Sequence, residues 1–227
     1  MSNIRCDRAK KWISVALFLL LEAVLYGLIL TRGGKLLIWS EFISIVLCFL
    51  FVLSMVRRET VLLACGLAFT VCADFCLVMC DPIQQLGGMI FFSCTQICYW
   101  LKLQRIQYRK SWLIARIVLI LAVEAVAVCI LKENTDPLAL VSMFYYVNLV
   151  MNMVESFVQF RHSPLFAIGL VFFILCDTVI GLQVAAGGYL PIPEGSFIHK
   201  LIFSGFHLSW FFYLPSQVLI ALSSRRK

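Results

Sequence analysis

Charge is scarce in this chain. Asp, Glu, Lys and Arg make up 14% of its 227 residues, where a soluble domain carries roughly 25%. Hydrophobic residues fill 62% and the mean hydropathy is +0.96. One globule of this length cannot hide so much apolar surface, so a water-soluble fold is excluded and the bilayer is the expected solvent. Histidine is nearly missing. His162, His199 and His207 are too scattered for a three-histidine zinc centre, and neither a metal nor another cofactor is expected. A P-loop, a Gly-x-Ser-x-Gly elbow and a Ser-His-Asp spacing are all lacking. No polar stretch is long enough to form a soluble domain, so one transmembrane domain over 1–227 is expected.

Two features that are plentiful also exclude more than they suggest. The ten cysteines lie mostly within apolar runs, and Cys72, Cys76 and Cys80 form a helical stripe without a CxxC pair. They read as small packing residues, not as a disulfide or metal framework. The formal charge of +7 is split among short segments between oily runs, a pattern of membrane topology and not of nucleic-acid binding. The first apolar run continues from Trp12 to Leu30, beyond the roughly 7–15 residues of a signal-peptide core, and reads as a retained helix.

Apolar stretches of about 20 residues match a hydrocarbon core of about 30 Å. Eight are expected: 12–30, 36–56, 61–80, 86–103, 112–131, 138–160, 164–186 and 198–222. The chain is thus expected to be an all-α, polytopic, multi-pass integral membrane protein, in the cell membrane if bacterial. Alternate connecting segments and the termini hold 14 Lys and Arg against 4 on the other side. The positive-inside rule then places both termini in the cytoplasm. Arg116, just inside the fifth stretch, is expected to snorkel to that same side.

A second pattern doubles the first half. GLAFTVCADFCLV (66–78) and GLVFFILCDTVIG (169–181) both place Asp eight residues after Gly, and Asp74 and Asp177 are 103 positions apart. Glu22-Ala23-Val24 returns as Glu124-Ala125-Val126, and Ser40, Phe42, Leu47 return as Ser142, Phe144, Leu149, each 102 positions on. Two tandem four-helix repeats, 1–110 and 111–227, are expected. Each aspartate lies 13 residues past the start of its stretch. Both therefore reach a similar depth and can face one cavity.

Six acids fall inside the apolar stretches: Glu22, Glu41, Asp74, Glu124, Glu155 and Asp177. An ionisable group at the centre of a span costs about 2.5–3.5 kcal/mol or more, which drives it to a bundle interior. Glu22 and Glu124 are expected to bind a neighbouring helix, and Glu41, near a stretch end, to reach headgroups. Glu155 shares a face with Asn148 and Asn152, which lines a cavity or joins helices. The repeated Asp74 and Asp177 are the candidate reagents, since a protonated carboxyl can serve as a general acid. Gln96 and Tyr99 share a face of the fourth stretch, and His207, Tyr213 and Gln217 lie on the eighth.

Four segments then carry a resemblance: GLAFTVCADFCLV, LGGMIFFSCTQICY (86–99), FAIGLVFFILCDTVIG (166–181) and YLPSQVLIALS (213–223). In order and placement they resemble the YhhN family of membrane proteins, whose characterised members are lysoplasmalogenases. The chain departs from the family pattern at Ala73 (commonly Gly), Cys176 (commonly Ser), Gln96 (commonly His) and Ser216 (commonly Ala). The resemblance implies hydrolysis of the vinyl ether bond of a lysophospholipid within the bilayer, releasing a fatty aldehyde. It implies Asp74 and Asp177 as acid and base, and Gln96, Tyr99, Gln217, Tyr213 and Asn148 around substrate or water. The alternative is a non-enzymatic membrane protein, either a small-solute or proton-coupled transporter or a lipid-binding partner protein.

Overall fold

The computed structural model describes residues 2–132, 135–186, 192–193, 195–203 and 207–225. Among them the chain is all-helical. The helices are α1 (Ser2–Thr31), α2 (Gly34–Ser54), α3 (Val61–Asp74), α4 (Gln85–Ile106), α5 (Lys110–Leu131), α6 (Pro137–Val158), α7 (Pro164–Ala186), α8 (Phe197–Ile202) and α9 (Leu208–Leu222). Asp136 caps α6 by accepting from the Ala139 amide at 2.7 Å, with Pro137 supplying the preset φ of the first turn.

Six helical segments are long and apolar enough to cross a membrane: Trp12–Thr31, Gly34–Ser54, Val61–Met79, Lys110–Ile130, Pro137–Val158 and Pro164–Val184. They mark a membrane protein. The outward residues agree, since Leu20, Leu121 and Ile130 are all more than 60% exposed, as a lipid solvent favours. The other two expected stretches differ. Helix α4 has the length of a crossing but spends its centre on Ser93, Thr95 and Gln96, all buried inside the bundle. The stretch 198–222 is not one continuous helix. α8 closes at Phe203 and the 15-residue α9 opens after His207.

The bundle is assembled from neighbouring pairs. Helix α1 packs on α2, α2 on α3 and α3 on α4, while α5 packs on α6, α6 on α7 and α7 on α9; α4 meets α6, and α2 meets α9. The core runs along the inner faces through Ile45, Leu63, Leu67, Leu149, Leu170 and Phe173. Within α9, Pro215 cannot donate to the carbonyl of Phe211. That oxygen accepts instead from the Tyr26 hydroxyl of α1 at 3.1 Å, so the helix keeps its backbone satisfied.

Three glycines set the closest approaches, and a Cβ at Gly88 of α4 would lie 2.5 Å from Leu77 Cγ. A Cβ at Gly66 of α3 would collide with the Tyr99 ring of α4, and one at Gly169 of α7 would lie 2.8 Å from Ile220 Cγ1 and 3.1 Å from the Ser216 carbonyl of α9. Small residues let membrane helices approach to backbone distance, where packing replaces the missing hydrophobic drive. Gly66→Ala and Gly169→Ala are therefore expected to destabilise by about 1–3 kcal/mol through overpacking. Gly181→Ala, with nothing within 4 Å of its Cβ, serves as the neutral control. Thermal midpoints of the purified variants in detergent check this, and three equal midpoints would contradict it.

Candidate functional site

Asp74 is the last residue of α3, and a π-helical turn, Phe75–Met79, follows it directly. Single π turns inside α-helices often occur at functional sites because they rotate side chains off the regular 3.6-residue face. The turn is closed by the Cys80 amide donating to the Phe75 carbonyl at 3.1 Å. Asp74 is 3% exposed, and its Oδ2 accepts from the Tyr213 hydroxyl of α9 at 2.7 Å. Asp177 on α7 is half-buried and accepts a hydrogen bond from the Tyr145 hydroxyl of α6.

These two acid–tyrosine pairs belong to one site. Asp74 is within electrostatic reach of both Asp177 and Glu41, and Cys176 lies beside both aspartates. The rings of Phe92, Tyr145, Phe173 and Tyr213 form a continuous cluster. Phe92 stands 5.5 Å from Tyr145 and 5.8 Å from Phe173, and Phe173 stands 5.5 Å from Tyr213. An apolar aromatic wall thus lies against two carboxyls, each held by a phenol. Glu41 departs from expectation: it is 7% exposed and within electrostatic reach of Asp74 instead of reaching headgroups. Helix α2 presents it on the same buried face as Ser44, Ile45 and Cys48, and that face is fixed by packing against α3 and α9.

The remaining expected residues distribute over two neighbouring groups. Tyr99 is fully buried against Gly66, edge-on to Phe166 at 5.3 Å and beside Thr70. Gln217 is fully buried one turn from Tyr213, and neither end of its amide has a hydrogen-bond partner among the described residues. Gln96 accepts through Oε1 from Asn152 Nδ2 at 2.9 Å, while its own Nε2 has no partner there. Asn148 accepts from Arg116 Nη1 at 2.7 Å and donates to the Phe144 carbonyl at 2.8 Å.

Arg116 therefore does not snorkel. It is 3% exposed and turns inward from α5, donating to Asn148, to Asn152 at 2.9 Å and to Glu155 at 2.7 Å. Gln104 of α4 donates to the other Glu155 oxygen at 2.9 Å. A guanidinium in hydrocarbon gains far more from three oxygen acceptors on one helix face than from stretching to the interface. Tyr145, Asn148, Asn152 and Glu155 repeat at helical spacing, so one stripe of α6 joins the aspartate pair to this network. Glu155 is thus part of an ion-paired helix joint. Glu22 accepts from the Cys48 thiol of α2 at 3.3 Å, as expected for a residue that joins helices.

Tyr145 is the residue that sequence reading passed over. Its signal was available, since it lies three positions before Asn148 on the face already marked as polar. His162 follows α6, His199 lies in α8 and His207 precedes α9. Removing Arg116 strands a buried carboxylate and two amides, and Arg116→Met is expected to cost about 3–5 kcal/mol. The double variant Arg116→Met/Glu155→Leu should lose less than the single one. Denaturant unfolding in detergent measures both, and a larger loss in the double variant would contradict the pairing.

No curated protein and no solved structure matches the chain. A family model matches residues 36–224, from the start of α2 through the end of α9. That range takes in both aspartates, both tyrosines that hold them and the Arg116 network. The chain belongs to the YhhN family.

Proposed function

We propose that the chain is a membrane hydrolase that cleaves the vinyl ether bond of lysoplasmalogen-type lysophospholipids, with Asp74 and Asp177 as the acid–base pair. Family membership is consistent with a membrane hydrolase. The observation that carries the finer reading is the meeting of two carboxyls from α3 and α7 at one aromatic wall, each held by a tyrosine.

The reaction needs one proton at carbon and one water. A protonated carboxyl delivers its proton to the double-bond carbon remote from the ether oxygen, leaving an oxocarbenium ion at the other carbon. The second carboxyl, ionised, stabilises that cation and takes a proton from the attacking water. The hemiacetal then collapses to a fatty aldehyde and a glycerophospho-alcohol. Tyr145 and Tyr213 fix the carboxyls, and the Phe92 and Phe173 rings offer an apolar surface to the alkenyl chain. Gln96 and Gln217 carry buried amide groups that can orient water or a glycerol hydroxyl.

On this reading the site is the centre of a doubled fold with eight crossings and both termini on the cytoplasmic side. Three features support the doubling. The neighbour pairs repeat, α1–α2 with α5–α6, α2–α3 with α6–α7, α3–α4 with α7–α9, and α2–α9 with α6–α4. Gly66 and Gly169, 103 positions apart, make the same close approach in each half. Phe92-x-x-Thr95-Gln96 also recurs as Tyr213-x-x-Ser216-Gln217, 121 positions later. The transporter alternative draws on the division of the last stretch into α8 and α9, a discontinuity that transporters use at binding sites.

The test is aldehyde release from lysoplasmalogen by the purified protein in detergent. Asp74→Asn and Asp177→Asn are each expected to lower kcat by about 100-fold or more, the usual yield of a positioned acid or base. Tyr145→Phe and Tyr213→Phe should cost about tenfold, through loss of a charge-assisted hydrogen bond. Absence of aldehyde from the parent protein defeats the substrate assignment, and full activity in both asparagine variants defeats the mechanism.

A further inference from the structure

A second polar site lies at the other end of the same helices. A cavity of about 650 Å³ opens where the α2–α3 turn, the last turn of α4, the α6–α7 turn and the end of α9 meet. Its wall carries Arg57, Arg58, Lys102 and Arg105, with Glu59 as the single acid. Among the described residues no carboxylate is ion-paired to Arg57, Arg58 or Arg105. The Arg105 guanidinium reaches only the Arg58 carbonyl, at 3.4 Å. Lys102 sits over the Phe166 ring, 3.6 Å from its centroid, and closes the floor.

Neutral donors complete the wall. The Ser224 hydroxyl is 7% exposed, lines the cavity and has no hydrogen-bond partner among the described residues. Ser223 and Ser163 stand beside it, and Thr60 and Leu63 bring in the first turn of α3. That helix start has no side-chain cap, because the Thr60 hydroxyl is taken by the Arg57 amide at 2.8 Å. Ser163 immediately precedes the start of the 23-residue α7. Two helix N-termini, each a partial positive charge, therefore meet three arginines and a buried hydroxyl unpartnered among the described residues. Guanidinium groups match the oxygens of a tetrahedral oxyanion bidentately.

We propose that this cavity binds a phosphate group. The site is separate from the aspartate pair. Leu63 and Asp74 lie 11 residues apart on α3, about 16 Å at helical rise, and Tyr99 with Phe166 fills the space above Lys102. In a lysoplasmalogen only the glycerol carbons separate the vinyl ether from the phosphate, far short of that distance. One substrate molecule cannot occupy both places. The inference therefore does not rest on the hydrolase reading, and the phosphate belongs either to the headgroup of another lipid or to a free phosphate compound.

The experiment is calorimetric titration of the full chain in dodecyl maltoside, free of phosphate buffer, with inorganic phosphate and separately with dihexanoylphosphatidic acid. Saturable binding of one molecule per chain is expected for at least one probe. Arg57→Gln/Arg105→Gln is expected to weaken it at least tenfold. Ser224→Val keeps every charge and should weaken it severalfold at an unchanged thermal midpoint, which keeps the test decisive if the double arginine variant folds poorly. Arg109→Gln/Lys110→Gln, basic residues outside the cavity, should leave it unchanged. Binding of the lipid alone assigns the site to a headgroup, and binding of inorganic phosphate assigns it to a free phosphate compound. Failure of both probes to bind, or equal weakening by the Arg109/Lys110 control, overturns the proposal. Neither result depends on aldehyde release.

Discussion

Hydrocarbon offers a polar side chain no partner, so every such group in a membrane helix must find one on another helix. That constraint organises this bundle. Arg116 collects three oxygens from α6, Glu22 takes a thiol from α2, and each aspartate takes a phenol from the facing helix. Even the carbonyl released by Pro215 is met by Tyr26. Apolar burial contributes little to choosing which faces turn inward when lipid is as apolar as leucine. The polar contacts choose, and Gly66 and Gly169 then let the chosen faces close to contact.

The same constraint explains what remains unsatisfied. Gln217 and the Gln96 Nε2 are buried without protein partners among the described residues, although leaving a buried amide unmet costs about 1–3 kcal/mol. Both lie one turn from an aromatic ring of the wall beside the aspartates, Gln96 from Phe92 and Gln217 from Tyr213. On the doubled reading they occupy corresponding places in the two halves. A site that must present polar groups to a bound molecule keeps such groups open, and pairing them internally would be the more stable choice.

Much of this was legible from residue order because hydropathy and helical spacing are local. The long apolar helices, the buried acids, the paired aspartates and the α6 stripe of Asn148, Asn152 and Glu155 all follow from such counting. Helix rotation is not local, and it decided the misreadings. Arg116 was assigned to the interface by its position, but three acceptors on α6 outweighed the interface. Glu41 was assigned to headgroups by its nearness to a helix end, but α2 presents it inward. Tyr145 lies three positions before Asn148 on the face marked polar, but its pairing with Asp177 is fixed only by how α6 and α7 rotate against each other. The Thr95-Gln96 and Ser216-Gln217 echo was hidden by the longer connection before α9, which shifts its spacing from 102–103 to 121.

The burial of the two aspartates differs, and the difference bears on direction. Asp74 is closed in at the α-to-π junction of α3, whereas Asp177 keeps an open edge between α6 and α7. Beyond that edge Tyr146 and Thr178 are linked at 3.0 Å on the exposed side of the same two helices. Toward the opposite pole Tyr99 packs edge-on against Phe166 at 5.3 Å, and Lys102 lies over the same Phe166 ring. Under the proposed function the more exposed side, past Asp177, is the way in for a lipid chain, which then meets Asp74 last. Under the proposed chemistry this places the enclosed carboxyl against the alkenyl carbons and leaves the open one facing the polar end of the substrate, where water also enters.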